Sequence, residues 1–266
     1  MTNVAVLGVT GRMGRCLVRA IRAADDLVMS GALASPASPT LGRDVGDAAE
    51  TGPVGLQVTA DRAIALAGAD VAVDFTLAGA CLDNVTAAAV AGVPIVIGTT
   101  GLSQAQHAEI RRLSHDLPVL LAPNMSLGVN LLFSLVGHAS AALSDDYDIE
   151  IFEAHHRNKA DAPSGTALTI AEIAAGARGV TLADVGIHAR AGTAGPRPRG
   201  GIGFAVVRGG DLVGEHSVLY AGTGETLEIR HRASDRMTFA HGAVTAARWL
   251  IGRPPGLYGM ADVLGL

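Results

Sequence analysis

Between residues 153 and 166 this chain gathers imidazole, amine, carboxylate and hydroxyl groups in one stretch: Glu153, His155, His156, Arg157, Asn158, Lys159, Asp161, Ser164 and Thr166. Lys159 is the single lysine of a sequence whose other basic residues are nineteen arginines. Arginine serves wherever a solvated positive charge is enough, so a position that keeps a compact ammonium donor points to site chemistry. A leftover lysine with no special task is the plain alternative. Pro163-Ser164-Gly165-Thr166 reads as a helix opening. Such an opening offers unpaired backbone N–H groups and a hydroxyl, with a glycine that allows close approach, an arrangement suited to a carboxylate. Its plain alternative is a serine cap worth about 1 kcal/mol. Two histidines and a lysine beside an anion-accepting helix end suggest proton donation to an anionic substrate, against packed or surface imidazoles. His155 and His156 are neighbours at a strand end and face opposite ways, and no cysteine or paired carboxylate completes a metal spacing. No catalytic metal is expected.

A second cluster is backbone chemistry. Gly8-Val9-Thr10-Gly11-Arg12-Met13-Gly14 follows an apolar strand and opens a helix. Glycines belong where a chain turns sharply from strand to helix and where its backbone must approach a pyrophosphate. The spacing G-x-x-G-x-x-G departs from the commoner G-x-G-x-x-G, so its position at the head of a βα series carries the reading. Arg12 could meet a pyrophosphate or a 2′-phosphate, or could be a solvated charge. The acid that usually binds the adenosine ribose at the end of the second strand is absent from Ala34-Ser35, leaving Ser35 as a neutral hydrogen-bonding candidate. Gly98-Thr99-Thr100-Gly101 and Ala122-Pro123-Asn124-Met125 end later strands. Their backbone groups could hold a nicotinamide amide, or they could be ordinary turns.

These residues need a scaffold, and its rhythm is visible. Apolar runs predict strands at 4–8, 27–33, 70–75, 94–97 and 118–121, alternating with helices near 12–23, 61–67, 79–91 and 103–115. Repeated βα units imply a parallel sheet covered on both faces. Residues 35–54 read as a long loop with room to border a ligand. After Asn124 the pattern changes to a helix near 127–143, a strand at 147–154, a helix near 164–178, and strand-like runs at 186–190, 202–208, 212–220 and 225–231. Strands joined directly predict an antiparallel or mixed sheet in a second, α+β domain. An amphipathic helix near 236–252 could pack back on the first domain.

Composition narrows the function classes. With 266 residues, 49% of them hydrophobic, the chain can bury a sizeable core. A net charge of -5 with no basic tail argues against a nucleic-acid partner. Apolar runs are interrupted well before the roughly 18 residues of a membrane helix, and the start resembles neither a signal nor a transit peptide, so no membrane partner is expected. Cys16 and Cys81 fall in apolar helical segments and read as small buried thiols, consistent with a reducing cytoplasm.

The stretch His155-His156-x-x-Lys159-x-Asp161-x-Pro163-Ser164-Gly165-Thr166 resembles the signature of the dihydrodipicolinate reductases, also called 4-hydroxy-tetrahydrodipicolinate reductases, of lysine biosynthesis. Gly8 to Gly14, Gly98 to Gly101, Ala122 to Asn130, Arg208 to His216 and Arg236 to Ala240 resemble that family too, in its order, so the likeness spans nearly the whole chain. It implies a Rossmann-like parallel-sheet dinucleotide domain over 1–126 and 236–266. Into it is inserted an α+β mixed-sheet substrate-binding and oligomerisation domain over 127–235, with hinges near Ser126 and Arg236. The implied reaction passes hydride from NADPH or NADH to a cyclic dicarboxylate imine, giving tetrahydrodipicolinate with loss of water in the diaminopimelate and lysine pathway.

By position, the resemblance makes His155 the proton donor and acceptor and Lys159 the second proton donor, and it gives His156, Gly165 and Thr166 to the substrate. It gives Gly8, Val9, Thr10, Gly11, Arg12, Met13, Gly98, Thr99, Thr100, Ala122, Pro123, Asn124 and Met125 to the dinucleotide. Some relatives carry an acidic–basic pair at Ala34-Ser35, so the NADPH/NADH preference does not carry over. A cytoplasmic homotetramer is implied. The loop Arg190 to Gly203 could reach over the site or a neighbour, or be simply solvated. Two readings compete with this one: another NAD(P)-dependent amino-acid-pathway dehydrogenase, which would need a different polar cluster, and a non-catalytic dinucleotide sensor, which would have no use for His155 and Lys159.

Overall fold

A computed structural model describes residues Met1–Leu266. The chain divides into two compact units, one comprising Met1–Leu127 with Arg236–Leu266 and the other Gly128–Asp235.

The first unit is built from apolar segments too short to be anything but buried strands. In chain order these are β1 (Thr2–Leu7), β2 (Leu27–Leu33), β3 (Val71–Asp74), β4 (Ile95–Ile97) and β5 (Pro118–Leu121). Helices α1 (Arg12–Arg22), α2 (Val45–Ala49), α3 (Arg62–Leu66), α4 (Ala78–Ala91) and α5 (Gln104–Leu113) lie between them. Every pairing is parallel, and β3 is buried at all four positions, as a strand covered on both faces must be. Two apolar clusters fill the two sides of this sheet: one gathers Leu17, Ile21 and Val18 of α1, the other Val85 and Ala88 of α4 with Ile110 of α5.

The second unit has one covered sheet face. Helix α6 (Leu127–Ala142) leads to β6 (Asp148–His155), α7 (Gly165–Ala177), the short α8 (Leu182–Val185), β7 (Gly186–Ile187), β8 (Ile202–Arg208), β9 (Gly214–Ala221) and β10 (Thr226–Ala233). The five strands run in the order β10-β9-β6-β8-β7. β6 pairs antiparallel with β9 and parallel with β8, so the sheet is mixed. Ile149, Ile151, Ile202, Phe204, Val218 and Tyr220 alternate onto one face and bury against Leu132 and Val136 of α6 and Ile170, Ala171 and Ala174 of α7. The opposite face carries Ala205 and Val207, both exposed.

The chain then returns to the first unit as α9 (Met237–Leu250), whose Ala240, Ala243, Ala246, Ala247 and Leu250 join the cluster that holds α1. A strand not expected from sequence, β11 (Gly256–Tyr258), pairs in parallel with β5 and makes the order of the six-stranded sheet β11-β5-β4-β3-β1-β2. It is followed by α10 (Met260–Leu264). The Rossmann-like parallel sheet and the separate mixed-sheet α+β unit are the expected fold class.

Two expectations need correction. Residues 35–54 are not wholly loop: Asp44 accepts from Gly46 N (2.7 Å), Val54 N (2.9 Å) and Gly55 N (2.7 Å), and so caps α2 and closes the segment after it. The Arg190–Gly203 segment is fastened to its own sheet. Arg197 forms ion pairs with Asp148 (3.0 Å) and Glu150 (2.9 Å) and donates to the carbonyl of Ile149 (2.7 Å), and Arg190 donates to Glu150 (2.5 Å), all at the opposite end of β6 from His155. Within its own chain it does not reach over the site.

Candidate active site

Each unit carries one part of the predicted chemistry. In the first, Gly8 turns the chain at φ +87, and its N–H and that of Val9 both donate to Leu33 O, at 2.9 and 3.0 Å. A Cβ on Gly14 would stand 2.2 Å from Gly8 O and 2.6 Å from the Val9 backbone, so only glycine lets α1 start this close to the strand. Gly11 is the N-cap of α1, supplies no side-chain acceptor, and no acid occupies the first turn. The helix therefore presents uncompensated N–H groups and a positive dipole end, the chemistry of a phosphate cradle. Beside it opens a cleft of about 390 Å³ whose lining includes Gly8, Thr10, Gly11, Ser35, Arg62 and Thr76. This glycine-cut turn with its adjoining cleft fits a dinucleotide.

The other cofactor candidates divide between backbone and side-chain roles. Val9, Ala122 and Met125 are core residues, and Met13 packs against the same core, so only their main-chain groups are available. Thr99 is buried and turns inward, its hydroxyl donating to Asp74 Oδ1 at 3.1 Å. Asn124 Oδ1 accepts from Ser126 N (2.9 Å) and shapes the end of β5. Arg12, Thr100 and Pro123 are exposed, and Gly98 is partly so. Ser35 borders the cleft as expected, its Oγ accepting from Ala37 N at 3.3 Å.

Sequence reasoning missed Asp74 and Arg62. Asp74 ends β3 fully buried and accepts from Thr76 N and Oγ1 (both 2.7 Å), Asn84 Nδ2 (3.1 Å) and Thr99. Burial nonetheless holds its carboxyl above the ordinary range. It pins together the strand ends that border the cleft. Arg62 is the one charged residue lining that cleft; its Nε donates to Asn84 Oδ1 at 2.7 Å and its Nη2 sits 3.3 Å from Asp83. An Asp at the end of an apolar run and an Arg at a helix start carry no signal of this meeting in sequence. Burial, and then the charge of Asp74, push the Cys81 thiol up to about 12, so it is an inert core group.

The second unit holds the polar cluster. Glu153 and His155 stand two residues apart on β6 and share a face, and Glu153 Oε2 accepts from His155 Nδ1 at 2.6 Å. Arg208, at the end of the neighbouring β8, grips both Glu153 oxygens at 2.7 Å, and Ser164 N donates to Oε1 at 3.0 Å. Burial alone would raise this carboxyl; the hydrogen bonds from His155, Arg208 and Ser164 outweigh it and hold the group at about 2. An ionised carboxylate can only accept, so His155 donates from Nδ1 and turns Nε2 outward. A Cβ on Gly214 would lie 3.2 Å from that Nε2, so the glycine leaves it room.

Lys159 Nζ pairs with Asp161 Oδ1 at 2.8 Å, and its backbone N–H donates to His156 O at 3.1 Å. His156 is half-buried with Nδ1 unpaired. Ser164 is the N-cap of α7: its Oγ accepts from Ala167 N (3.2 Å) and lies 3.2 Å from His216 Nε2. The hydroxyl expected for a ligand is thus spent on capping. Gly165 is exposed at the first position of α7, with open space where a Cβ would sit, and Thr166 follows it. His216 was not anticipated. Its buried ring lies 5.1 Å from that of His155 in an edge contact at 71°, and burial, then the neighbouring His155, push it down to about 4, so it is neutral.

Comparisons with known proteins identify the family. The family profile described as "Dihydrodipicolinate reductase, N-terminus" matches residues 2–125, and that described as "Dihydrodipicolinate reductase, C-terminus" matches 128–264. A 4-hydroxy-tetrahydrodipicolinate reductase of Anaeromyxobacter dehalogenans is 50% identical over 266 residues, covering 100% of this chain and 98% of the relative. That of Nitrosomonas europaea is 50% identical over 264 residues, covering 99% and 98%. A solved structure, a dipicolinate-bound dihydrodipicolinate reductase from Paenisporosarcina sp., shares the fold with a TM-score of 0.78 at 24% identity, covering 98% of each chain. The chain belongs to the dihydrodipicolinate reductase family.

Proposed function

We propose that this chain reduces 4-hydroxy-tetrahydrodipicolinate to tetrahydrodipicolinate with NADPH or NADH, in diaminopimelate and lysine biosynthesis. The observation that carries the reading is the Glu153–His155 pair beside Lys159 and the α7 N-terminus, in a chain 50% identical throughout to reductases of that name. In this reading Met1–Leu127 with Arg236–Leu266 is the dinucleotide-binding unit, and Gly128–Asp235 binds substrate and oligomerises.

A bound reduced nicotinamide supplies a hydride. The chain's residues bind, orient and move the proton. The N–H groups opening α1 hold the pyrophosphate, with Gly8 and Gly14 keeping its seat empty of side chains. Gly165, Thr166 and His156 hold a substrate carboxylate at the opening of α7, where the helix dipole favours an anion. Lys159 supplies the proton that accompanies hydride, and His155 Nε2, with Nδ1–H held by Glu153, accepts a proton and as the imidazolium returns it, while Asp161 holds the ammonium in readiness. That a dianionic ring is the substrate class is supported by the dipicolinate in the Paenisporosarcina relative's name. The exposed Ala205 and Val207 face of the mixed sheet supports a homotetramer assembled through this unit. Two free cysteines suit a reducing cytoplasm.

A spectrophotometric assay of nicotinamide oxidation with freshly generated 4-hydroxy-tetrahydrodipicolinate, run with NADH and NADPH in parallel, tests this. Oxidation dependent on that substrate is expected; oxidation with neither cofactor contradicts the proposal.

A further inference from the structure

Glu153 is the most completely enclosed charge in the second unit, with no exposed surface, and the reaction gives it no direct part. A carboxylate removed from water is tolerated only when its lone pairs are met by donors. Here four donors from three places in the chain meet it: His155 Nδ1 on β6, both terminal nitrogens of Arg208 on β8, and the backbone N–H of Ser164 at the cap of α7. Arg208 Nη2 also donates to Asp161 O at 2.6 Å, which ties the same guanidinium to the segment carrying Lys159. One carboxylate thereby connects the imidazole, the helix opening and the lysine loop.

We propose that Glu153 is a positioning residue that fixes His155 in its Nδ1–H form, so that Nε2 is the nitrogen presented to substrate, with Arg208 holding Glu153 in that register. The proposal rests on the reading of His155 as a proton-transfer group. The geometry excludes the opposite tautomer. With only Nε2 protonated, the Nδ1 lone pair would face a carboxylate oxygen at 2.6 Å, a repulsive contact on a carboxylate with no exposed surface. His216 packs its edge against the His155 ring at 5.1 Å, which restrains ring rotation from the other side. Gly214 keeps the space next to Nε2 clear.

In Glu153→Gln the side-chain oxygen still accepts from Arg208 or Ser164, but the amide nitrogen can donate to Nδ1, so His155 should switch to the Nε2–H form. The experiment reads imidazole nitrogen NMR of the full-length protein, turnover, and the affinity of pyridine-2,6-dicarboxylate as a dianionic probe. Wild type should show His155 as Nδ1–H; finding the Nε2–H form there overturns the proposal with no variant needed. Glu153→Gln should switch the tautomer and lower kcat at least about tenfold, leave dianion affinity within about threefold, and have part of its turnover restored in Glu153→Asp. Lost turnover with an unchanged tautomer would make Glu153 merely structural and also overturn the proposal. A His155→Ala protein that turns over like wild type would instead remove the proton-transfer reading, while the tautomer measurement still decides what Glu153 does to His155.

Discussion

Glu153 and His216 sit within one bond network and are driven in opposite senses by the same loss of water: the carboxylate is met by four donors and stays charged, whereas the imidazole is not and stays neutral. This gives a pH dependence with a definite sign. Between about 6.5, the unfolded histidine value, and about 4, the unfolded chain binds a proton at residue 216 that the folded chain refuses. Stability is therefore whole above that window and falls as pH falls through it, by up to about 1.4 kcal/mol per pH unit. Burial shifts His231 in the same direction. Glu153 acts lower: its contribution is present above the ordinary glutamate range and is lost as pH drops towards about 2. Urea-denaturation midpoints measured from about pH 7 to 5 should decline for wild type and decline less for His216→Gln; parallel slopes would contradict the buried neutral imidazole. At the cofactor end, Arg62→Ala should raise KM for NADPH more than for NADH, because Arg62 is the only cation lining the cleft. Equal changes would make it a fold residue only.

Lys159 was legible as a candidate because its type is unique in the chain, and His155 because it stands near it. Glu153 stands out as a carboxylate of the same stretch, but its partners Arg208 and Ser164 lie 55 and 11 residues away, distances over which sequence spacing says nothing about contact.

At the scale of elements, the strand-to-helix turn at Gly8–Gly14 was readable because it needs particular residues at particular places. Gly14→Ala puts a methyl 2.2 Å from Gly8 O, so the helix must move; a loss of about 1–3 kcal/mol is expected, together with weakened nucleotide binding in calorimetry. Unchanged affinity for both nucleotides would deny the turn its phosphate role. The longer periodic segments were equally plain: α1, α4, α7 and α9 lie close to where their apolar spacing puts them. Of the short elements, α3 and β4 also lie where the sequence puts them, but three others were not readable. α2 and α8 have five and four residues, and β11 has three next to Pro254-Pro255, so none spans enough chain to show a period. β11 exists because β5 offers it a parallel edge, a cause absent from its own residues.

For the whole molecule, the sequence resemblance and the profiles matching 2–125 and 128–264 agree on the family, while the compact units show that the chain's last 31 residues return to the first unit. A contiguous reading of the C-terminal half would have missed that return; the amphipathic pattern of α9, whose buried side is alanine, glycine, valine and leucine, hinted at it. The exposed Ala205 and Val207 of β8 lie on the sheet face that no helix of their own unit covers. Analytical ultracentrifugation should give about four times the 26.9 kDa chain mass, and Val207→Glu should shift it to smaller species; a monomer in wild type would refute the tetramer.

The central claim is that His155 and Lys159 move the proton while the glycine-cut turn holds the nucleotide. Steady-state kinetics of Lys159→Ala and His155→Ala, paired with nucleotide dissociation constants, test it most directly. The account predicts turnover at least tenfold lower in each, a barrier increase of about 1.4 kcal/mol or more, with nucleotide affinity nearly unchanged; near-wild-type turnover in both variants would contradict it.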